Sequence, residues 1–99
     1  MIFNNKVIII FGSEGKIGNS FRKHILNNGG SVCSADIKIK KKNLSKQLYL
    51  KVDINKTKSI RKVLSETIRK FKKIDCIINC AYPKKNQSRK FNSLNIKNL

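Results

Sequence analysis

Apolar residues gather in four short, consecutive runs along this chain, and polar segments separate the runs. Runs that are apolar at adjacent rather than alternating positions are typical of parallel strands covered on both faces. The pattern therefore predicts four buried strands, which we place at residues 6–11, 31–35, 48–52 and 74–81. The second strand is followed directly by Asp36, and the third by Asp53.

Two of the intervening segments have the spacing of amphipathic helices. We expect the first helix at residues 17–28, where Asn28-Gly29-Gly30 would end it because glycine suits a left-handed C-terminal cap. Its expected apolar face is formed by Ile17, Phe21, Ile25 and Leu26, and its polar remainder includes Arg22, Lys23 and His24. The later helix is the clearest periodic segment, with apolar positions at Ile60, Val63, Leu64, Ile68 and Phe71. Asn55 or Thr57 is the candidate cap of this helix.

The alternation of strands and helices predicts an α/β fold with a doubly wound parallel sheet, Rossmann-like and truncated after about four strands. Between the second and third strands, residues 38–43 read as a basic loop or a short helix. Pro83 marks a break, and residues 84–99 read as the start of a further helical segment. We therefore expect a single incomplete domain at 1–99, with its core at about 5–83.

The link between the first strand and the first helix carries three glycines at i, i+3 and i+6, namely Gly12, Gly15 and Gly18. A strand, a glycine-rich turn and a helix N-terminus together form the geometry that holds a dinucleotide pyrophosphate. The first glycine allows the sharp turn, the second a close approach of backbone to phosphate, and the third close packing of helix on strand. The candidate pyrophosphate loop also includes Ser13, Lys16 and Ile17.

Asp36 lies eighteen residues after Gly18, at the end of the second predicted strand. A carboxylate there can accept hydrogen bonds from both hydroxyls of an adenosine ribose and would repel a 2′-phosphate. This favours NAD over NADP, although the nearby cation Lys38 could accommodate that phosphate. Asp36 and its neighbour Ile37 are thus candidate ribose-binding residues, and the alternative is a solvated aspartate at a strand end.

Two further strand ends carry candidate binding residues. Asp53-Ile54 would lie over the adenine, where a carboxylate can accept from the adenine amino group, but an aspartate in a turn or helix cap is an equal alternative. The fourth strand runs into Asn79-Cys80-Ala81, which would place backbone against the cofactor. The amide of Asn79 could also bridge neighbouring strands, or simply end its own strand.

These motifs resemble the N-terminal half of a short-chain dehydrogenase/reductase over residues 5–83. Residues 11–18, FGSEGKIG, are similar to the family's TGxxGxxG and TGxxxGIG loops, with Phe11 in place of Thr. Asp36 matches the acidic residue of NAD-preferring members, and Asp53 matches the adenine-pocket Asp. Residues 74–81 resemble the hDhhhNNAG stretch, with Cys80 for its second Asn. The resemblance implies an NAD-dependent oxidoreductase that transfers hydride between a nicotinamide and a carbonyl or hydroxyl carbon.

The same family uses a catalytic Tyr-x-x-x-Lys pair, which these 99 residues lack, because Tyr49 is followed four positions later by Asp53 and Tyr82 by Asn86. No catalytic residue is therefore assigned, and we expect cofactor binding without catalysis. An alternative is a fragment of an extended-type nucleotide-sugar epimerase or dehydratase. The glycine spacing fits that class better, and Asn79-Cys80-Ala81 fits it worse.

The net charge of +18 raises a further alternative, a basic module that binds nucleic acid. The lysines are dispersed rather than clustered, and only 7% of residues are aromatic, so we expect nucleic acid not to be the partner. The three cysteines, Cys33, Cys76 and Cys80, show neither metal-site nor disulfide spacing. This favours a reducing cytoplasm and no metal. The apolar runs are too short to cross a membrane.

In a sheet ordered 3-2-1-4-5, the fourth strand would normally be internal. Here it would form an apolar edge with unpaired amides and carbonyls, which invites pairing with another chain. We therefore expect the missing C-terminal half, or another chain, to lie beside this strand. The polypeptide alone is expected to be marginally stable.

Overall fold

The computed structural model describes residues 1–39 and 41–81. Within them the strands are β1 (Val7–Phe11), β2 (Ser31–Asp36), β3 (Gln47–Lys51) and β4 (Cys76–Asn79). The helices are α1 (Lys16–Asn27), which connects β1 to β2, and α2 (Thr57–Phe71), which connects β3 to β4. The prediction of a further helical segment at 84–99, and with it the end of the domain, lies outside the described residues.

The four strands form one sheet in the order β3-β2-β1-β4, and every neighbouring pair is parallel. Ile9 of β1 lies in register with Cys33 of β2 on one side and with Ile77 of β4 on the other. This confirms the predicted α/β fold, a truncated Rossmann-like sheet in which the chain first moves outward from β1 and then returns to its other side.

Alternate residues of the central strands pack in two different apolar layers, one on each face of the sheet. Ile9 and Phe11 of β1 pack in the layer that includes Ile60 and Val63 of α2. Ile8 and Ile10 pack in the other layer, with Ile25 of α1. Because helices cover both faces of the sheet, consecutive positions of β1 are all buried, which is why its sequence is apolar throughout rather than alternating.

Several local predictions need correction. The N-cap of α2 is Lys56 and makes no side-chain cap bond, so neither Asn55 nor Thr57 caps this helix. Of the two alternatives for the segment after β2, the loop agrees with the structure, because residues 37–39 and 41–46 contain no helix and Leu44 forms a bridge with Gln47. β4 is also shorter than the predicted strand at 74–81.

The expected helix faces are also only partly right. Ile17, Phe21 and Ile68 were placed on buried faces, yet they are 52%, 41% and 49% exposed. Conversely, Arg22 was placed on the polar remainder of the first helix, but it is only 6% exposed. The periodicity of apolar residues therefore predicts the position of both helices correctly, but it does not predict how wide a surface each helix buries.

A carboxylate joins β4 to the start of β1. Asp75 accepts a hydrogen bond from the Val7 amide through Oδ2 at 2.7 Å, and its own amide donates to the Val7 carbonyl at 2.8 Å. The Val7 amide, followed by the Lys73 ammonium at 3.1 Å, holds the pKa of Asp75 below its usual value of 3.8. Asp75 thus fixes the amino ends of these strands, opposite the end where the strands meet the glycine loop.

Candidate functional site

The carboxyl ends of the four strands surround a cleft of about 220 Å³. It lies where β2 and β4 diverge on either side of β1, which is where parallel α/β sheets bind their ligands. The cleft is lined by Gly12, Gly15, Asp36, Ile37, Val52, Asp53, Ile54, Cys80 and Ala81. All of these except Val52 were predicted as site residues. The sequence does not predict Val52 as a site residue, because an apolar residue at a strand end is expected to belong to the core.

Gly12 brings the glycine loop against the end of β4. Its φ of +77° lies in the left-handed region, and a Cβ at this position would lie 2.5 Å from the Ala81 amide nitrogen. The Gly12 amide donates to the Ala35 carbonyl of β2 at 2.8 Å. A residue with a side chain would therefore be strained and would also collide with backbone.

The other two glycines differ from each other in their surroundings. A Cβ on Gly18 would lie 2.5 Å from the Gly12 carbonyl oxygen, so this glycine lets α1 pack directly on the loop. Gly15 is the N-cap of α1, and a Cβ there would meet nothing nearer than that same oxygen, at 3.7 Å. Gly12 and Gly18 are required by packing, whereas Gly15 lines open space in the cleft.

Four predicted loop residues lie outside the cleft. Ser13 is fully buried, and its hydroxyl has no hydrogen-bond partner within residues 1–39 and 41–81. Lys16 and Ile17 line a separate, outward-facing groove with Phe21 of α1. Gly18 is buried behind the loop. The structure thus gathers Gly12 and Gly15, but not Ser13, Lys16, Ile17 or Gly18, onto the surface of the cleft.

The Asp36 carboxylate is tied to the glycine loop. Its Oδ2 accepts a hydrogen bond from the Glu14 amide at 3.0 Å, and its Oδ1 accepts from the Lys38 amide at 3.1 Å. Each carboxylate oxygen can accept more than one hydrogen bond, so these contacts orient the group and leave capacity for a ligand. These hydrogen bonds thereby fix the position of the end of β2 relative to the loop after β1.

Asp53 makes the turn contact that was one of its two expected roles, whereas its binding of adenine stays a prediction. It lines the cleft, and its Oδ1 also accepts a hydrogen bond from the Asn55 amide at 3.0 Å, which is the contact of an aspartate in a turn. The Asp53 amide in turn donates to the Ser59 hydroxyl at 2.8 Å, which ties this turn to the first turn of α2. Ile54 follows it along the cleft wall.

The end of β4 contributes backbone to the opposite wall of the cleft. The Cys80 amide donates to the Phe11 carbonyl at 2.7 Å, which extends the pairing with β1 up to the glycine loop. Asn79 is exposed and does not line the cleft, but its Oδ1 accepts from the Ala81 amide at 3.1 Å and so shapes this wall.

The thiols near the site are poor nucleophiles. Burial raises the pKa of the Cys80 thiol above its ordinary value. Burial also raises the pKa of Cys33 to about 11, against a smaller opposing effect of its hydrogen bond with Thr67. Both thiols are therefore protonated at neutral pH, and neither suits covalent catalysis.

Sequence analysis missed a charged network beside Asp36. The Glu14 carboxylate pairs with Arg22 at 3.2 Å and with Lys41 at 3.7 Å. Both cations also lie over the ring of Tyr49, at 5.9 Å and 5.8 Å from its centroid. Asn19 hydrogen-bonds Arg22 from the same helix. The only sequence signal was that Glu14, one of five acidic residues, lies inside the glycine loop.

Residues 1–39 and 41–81 contain no group of three or more His, Cys, Asp or Glu side chains that could hold a metal ion. In this part of the chain, none of the helices has the length and apolar character needed to span a membrane.

Comparison with known proteins identifies the family. A family model described as short chain dehydrogenase matches residues 6–98, and the chain therefore belongs to that family. It is 33% identical over 92 residues to post-translational flagellin modification protein A of Campylobacter coli, a match that covers 83% of this chain and 36% of that protein. It is 30% identical over 84 residues to bovine (Bos taurus) L-fucose dehydrogenase, covering 80% and 31% respectively. The chain thus spans about a third of the length of these curated relatives.

Solved structures agree on the fold. An apo SCOR enzyme from Clostridium thermocellum superimposes with a TM-score of 0.76 at 21% identity, covering 95% of this chain and 44% of that one. A short-chain dehydrogenase/reductase from Brucella melitensis gives 0.73 at 17% identity, covering 97% and 48%. Together with the family match, they support an oxidoreductase family that binds NAD(P), and they do not favour the extended-type epimerase alternative.

Proposed function

We propose that this chain is the cofactor-binding part of an NAD-dependent oxidoreductase that transfers hydride between the nicotinamide and a carbonyl or hydroxyl carbon. The observation that carries the proposal is the glycine loop itself. The loop is packed by Gly12 against the end of β4 and is bonded through the Glu14 amide to Asp36. This arrangement brings a helix N-terminus, a strand-end carboxylate and open space together at one end of a parallel sheet.

The residues around the cleft fit a dinucleotide. Gly15 leaves unoccupied volume at the start of α1, where backbone amides favour the negative charge of a pyrophosphate. The loop assigned to this group comprises Gly12, Ser13, Gly15, Lys16, Ile17 and Gly18. Of these, Ser13, Lys16, Ile17 and Gly18 lie outside the cleft surface, so their role is to shape the loop and present its backbone.

We assign the adenosine half to the walls formed by β2 and β3. Asp36 accepts hydrogen bonds from the ribose hydroxyls, with Ile37 beside it, and Asp53 accepts from the adenine amino group, with Ile54 beside it. Cys80 and Ala81 form the wall toward the nicotinamide, which supplies hydride transfer when bound, and Asn79 shapes that wall through its bond with the Ala81 amide. A carboxylate at Asp36 repels a 2′-phosphate, so NAD is preferred over NADP.

Asp36→Asn tests this assignment. We expect the affinity for NADH to fall by about 10- to 100-fold, because hydrogen bonds to a charged group contribute roughly 1.5–3 kcal/mol and tenfold in affinity is about 1.4 kcal/mol. Binding is measured by calorimetry or by NADH fluorescence on the folded chain. Glu66→Gln, which makes the same charge change on the outer surface of α2, should bind like the unchanged protein. Unaltered binding by Asp36→Asn would remove Asp36 from the site. If the folded, unchanged chain shows no saturable binding below millimolar NADH, the proposed function is wrong.

We further propose that the reacting residues, in particular Tyr-x-x-x-Lys, come from sequence outside these 99 residues and that this sequence, or another chain, pairs with β4. Within the described residues, β4 has β1 on one side and forms an edge of the sheet on the other. Its Cys76 is exposed there. The three free thiols also support a cytoplasmic location.

An open β4 edge predicts that the isolated chain self-associates at micromolar concentration. Cys76→Lys should reduce this association, because a lysine on an edge strand disfavours pairing with a second strand. Cys76→Ser is the matched control, since it removes the thiol while leaving the edge uncharged, and it should associate like the unchanged chain. Sedimentation velocity under reducing conditions measures both. A monodisperse, cooperatively melting monomer, or equal association of the two variants, would contradict this proposal.

A further inference from the structure

The contacts of Glu14 with Asp36, Arg22 and Lys41 affect which dinucleotide the cleft would accept. The Glu14 amide donates to Asp36 Oδ2, so the residue that follows Ser13 in the loop is anchored directly to the carboxylate assigned to the ribose. The Glu14 side chain holds Arg22 at 3.2 Å and Lys41 at 3.7 Å. The loop residue that is bonded to Asp36 therefore also carries a carboxylate, and this carboxylate is paired with one cation from α1 and one from the segment after β2.

The two cations differ in how firmly they are held. The Arg22 side chain is 7% exposed, its guanidinium also contacts Asn19, and it lies over the Tyr49 ring. The Lys41 side chain is 45% exposed, and its ammonium lies at the longer distance from Glu14. Arg22 is thus a fixed part of the packing, whereas Lys41 is the cation that could turn toward a ligand if Glu14 did not hold it.

We propose that Glu14 is a specificity-determining residue that disfavours a 2′-phosphate on the adenosine ribose. It adds a negative charge to the loop residue whose amide is bonded to Asp36, and it holds Lys41, the cation that could otherwise turn toward such a phosphate. A 2′-hydroxyl carries no charge and is unaffected by this arrangement. The inference rests on the proposed function, because it assumes that the ribose lies at Asp36, and it adds a second determinant of cofactor choice from the glycine loop.

The probes for this proposal are 5′-AMP and adenosine 2′,5′-bisphosphate (2′,5′-ADP), which differ only in the phosphate at issue. For the unchanged chain we expect 5′-AMP to bind at least tenfold more tightly than 2′,5′-ADP in calorimetry at low salt. Glu14→Gln should narrow that ratio by about tenfold, mainly through tighter binding of 2′,5′-ADP, because charge-assisted contacts to phosphate become available. Glu66→Gln removes one negative charge from α2, where Glu66 pairs with Arg69 of the same helix, and it should leave the ratio unchanged.

Two further variants separate specificity from support of the fold. Lys41→Met removes a half-exposed side chain and should fold normally, and it should widen the ratio by about threefold because the site becomes more negative. Glu14→Gln combined with Lys41→Met should lose most of the gain in 2′,5′-ADP binding, since the released cation is gone. Thermal melts of each variant confirm that the folded chain is being titrated.

The outcomes separate the two proposals. If the unchanged chain binds neither 5′-AMP nor NADH, the proposed function is wrong, and this inference, which rests on it, is wrong as well. If it binds both but Glu14→Gln and Lys41→Met leave the ratio as it was, the proposed function stands and Glu14 only holds α1 to the loop. A ratio that changes equally in Glu66→Gln would show a general charge effect and would likewise overturn the inference.

Discussion

Gly12→Ala is expected to cost roughly 2–5 kcal/mol of the free energy of unfolding. A left-handed conformation costs a residue with a Cβ about 1–2 kcal/mol, and overpacking against fixed neighbours costs about 1–3 kcal/mol more. Both penalties apply, because Gly12 has a φ of +77° and its Cβ would lie 2.5 Å from the Ala81 amide nitrogen. In a domain this small each kcal/mol lowers the melting temperature by about 4–8 °C, so the loss should be visible as a fall of at least about 8 °C.

The matched control is the same substitution three residues later. Gly15→Ala adds its Cβ 3.7 Å from the nearest atom, at a backbone conformation open to any residue. Its only cost is a less favourable N-cap, which is a fraction of a kcal/mol to about 1 kcal/mol. Circular dichroism melts compare the two variants. Equal melting temperatures would mean that Gly12 is not confined by the end of β4.

Gly15→Leu should abolish measurable NADH binding while leaving the fold intact. Gly15 lines the cleft at the start of α1, and its backbone already has dihedral angles that leucine adopts. The larger side chain would occupy the volume assigned to the pyrophosphate and keep it from the helix amides. We expect an affinity loss of about 100-fold or more, roughly 2.7 kcal/mol, with a melting temperature within a few degrees of the unchanged chain.

Ser20→Leu provides the comparison for that loss. Ser20 is exposed on α1 and lines the outward-facing groove rather than the cleft, so leucine there adds the same apolar bulk away from the proposed ligand. It should bind NADH normally in fluorescence titrations. The NADH affinity of Gly15→Ala should lie between the affinities of Gly15→Leu and Ser20→Leu. NADH binding by Gly15→Leu at the affinity of the unchanged chain would show that the ligand does not lie against α1.

The parts of the fold that could be predicted are those fixed by local pattern. A strand covered on both faces must be apolar at consecutive positions, so β1 and β2 were visible in the sequence, and strand-helix alternation then restricts the sheet to a parallel one. The buried width of each helix depends on what packs against it, which is why Ile17 and Phe21 were misplaced. Arg22 was misplaced for another reason, because its burial depends on a carboxylate supplied by the loop.

The candidate site likewise has a part that the sequence predicts and a part that it does not. Parallel strands bring their carboxyl ends to one edge of the sheet, so residues that follow them, such as Asp36 and Asp53, could be expected to meet at one cleft. The side-chain network of Glu14, Lys41 and Tyr49 could not be expected. It depends on a contact between the segment after β2 and the glycine loop, through Lys41 and Glu14, and no periodicity of the sequence predicts that contact.

Two contacts join distant parts of the chain: Val7 bonds to Asp75, 68 positions away, and Gly12 packs against Ala81. These contacts have a consequence for synthesis on the ribosome. A nascent chain can pack α1 and β2 onto β1 as soon as those segments emerge, since these contacts are close in sequence. The far wall of the cleft cannot form until β4 has been translated and released from the exit tunnel. The ability to capture a nucleotide should therefore arise last, in a single late step of folding.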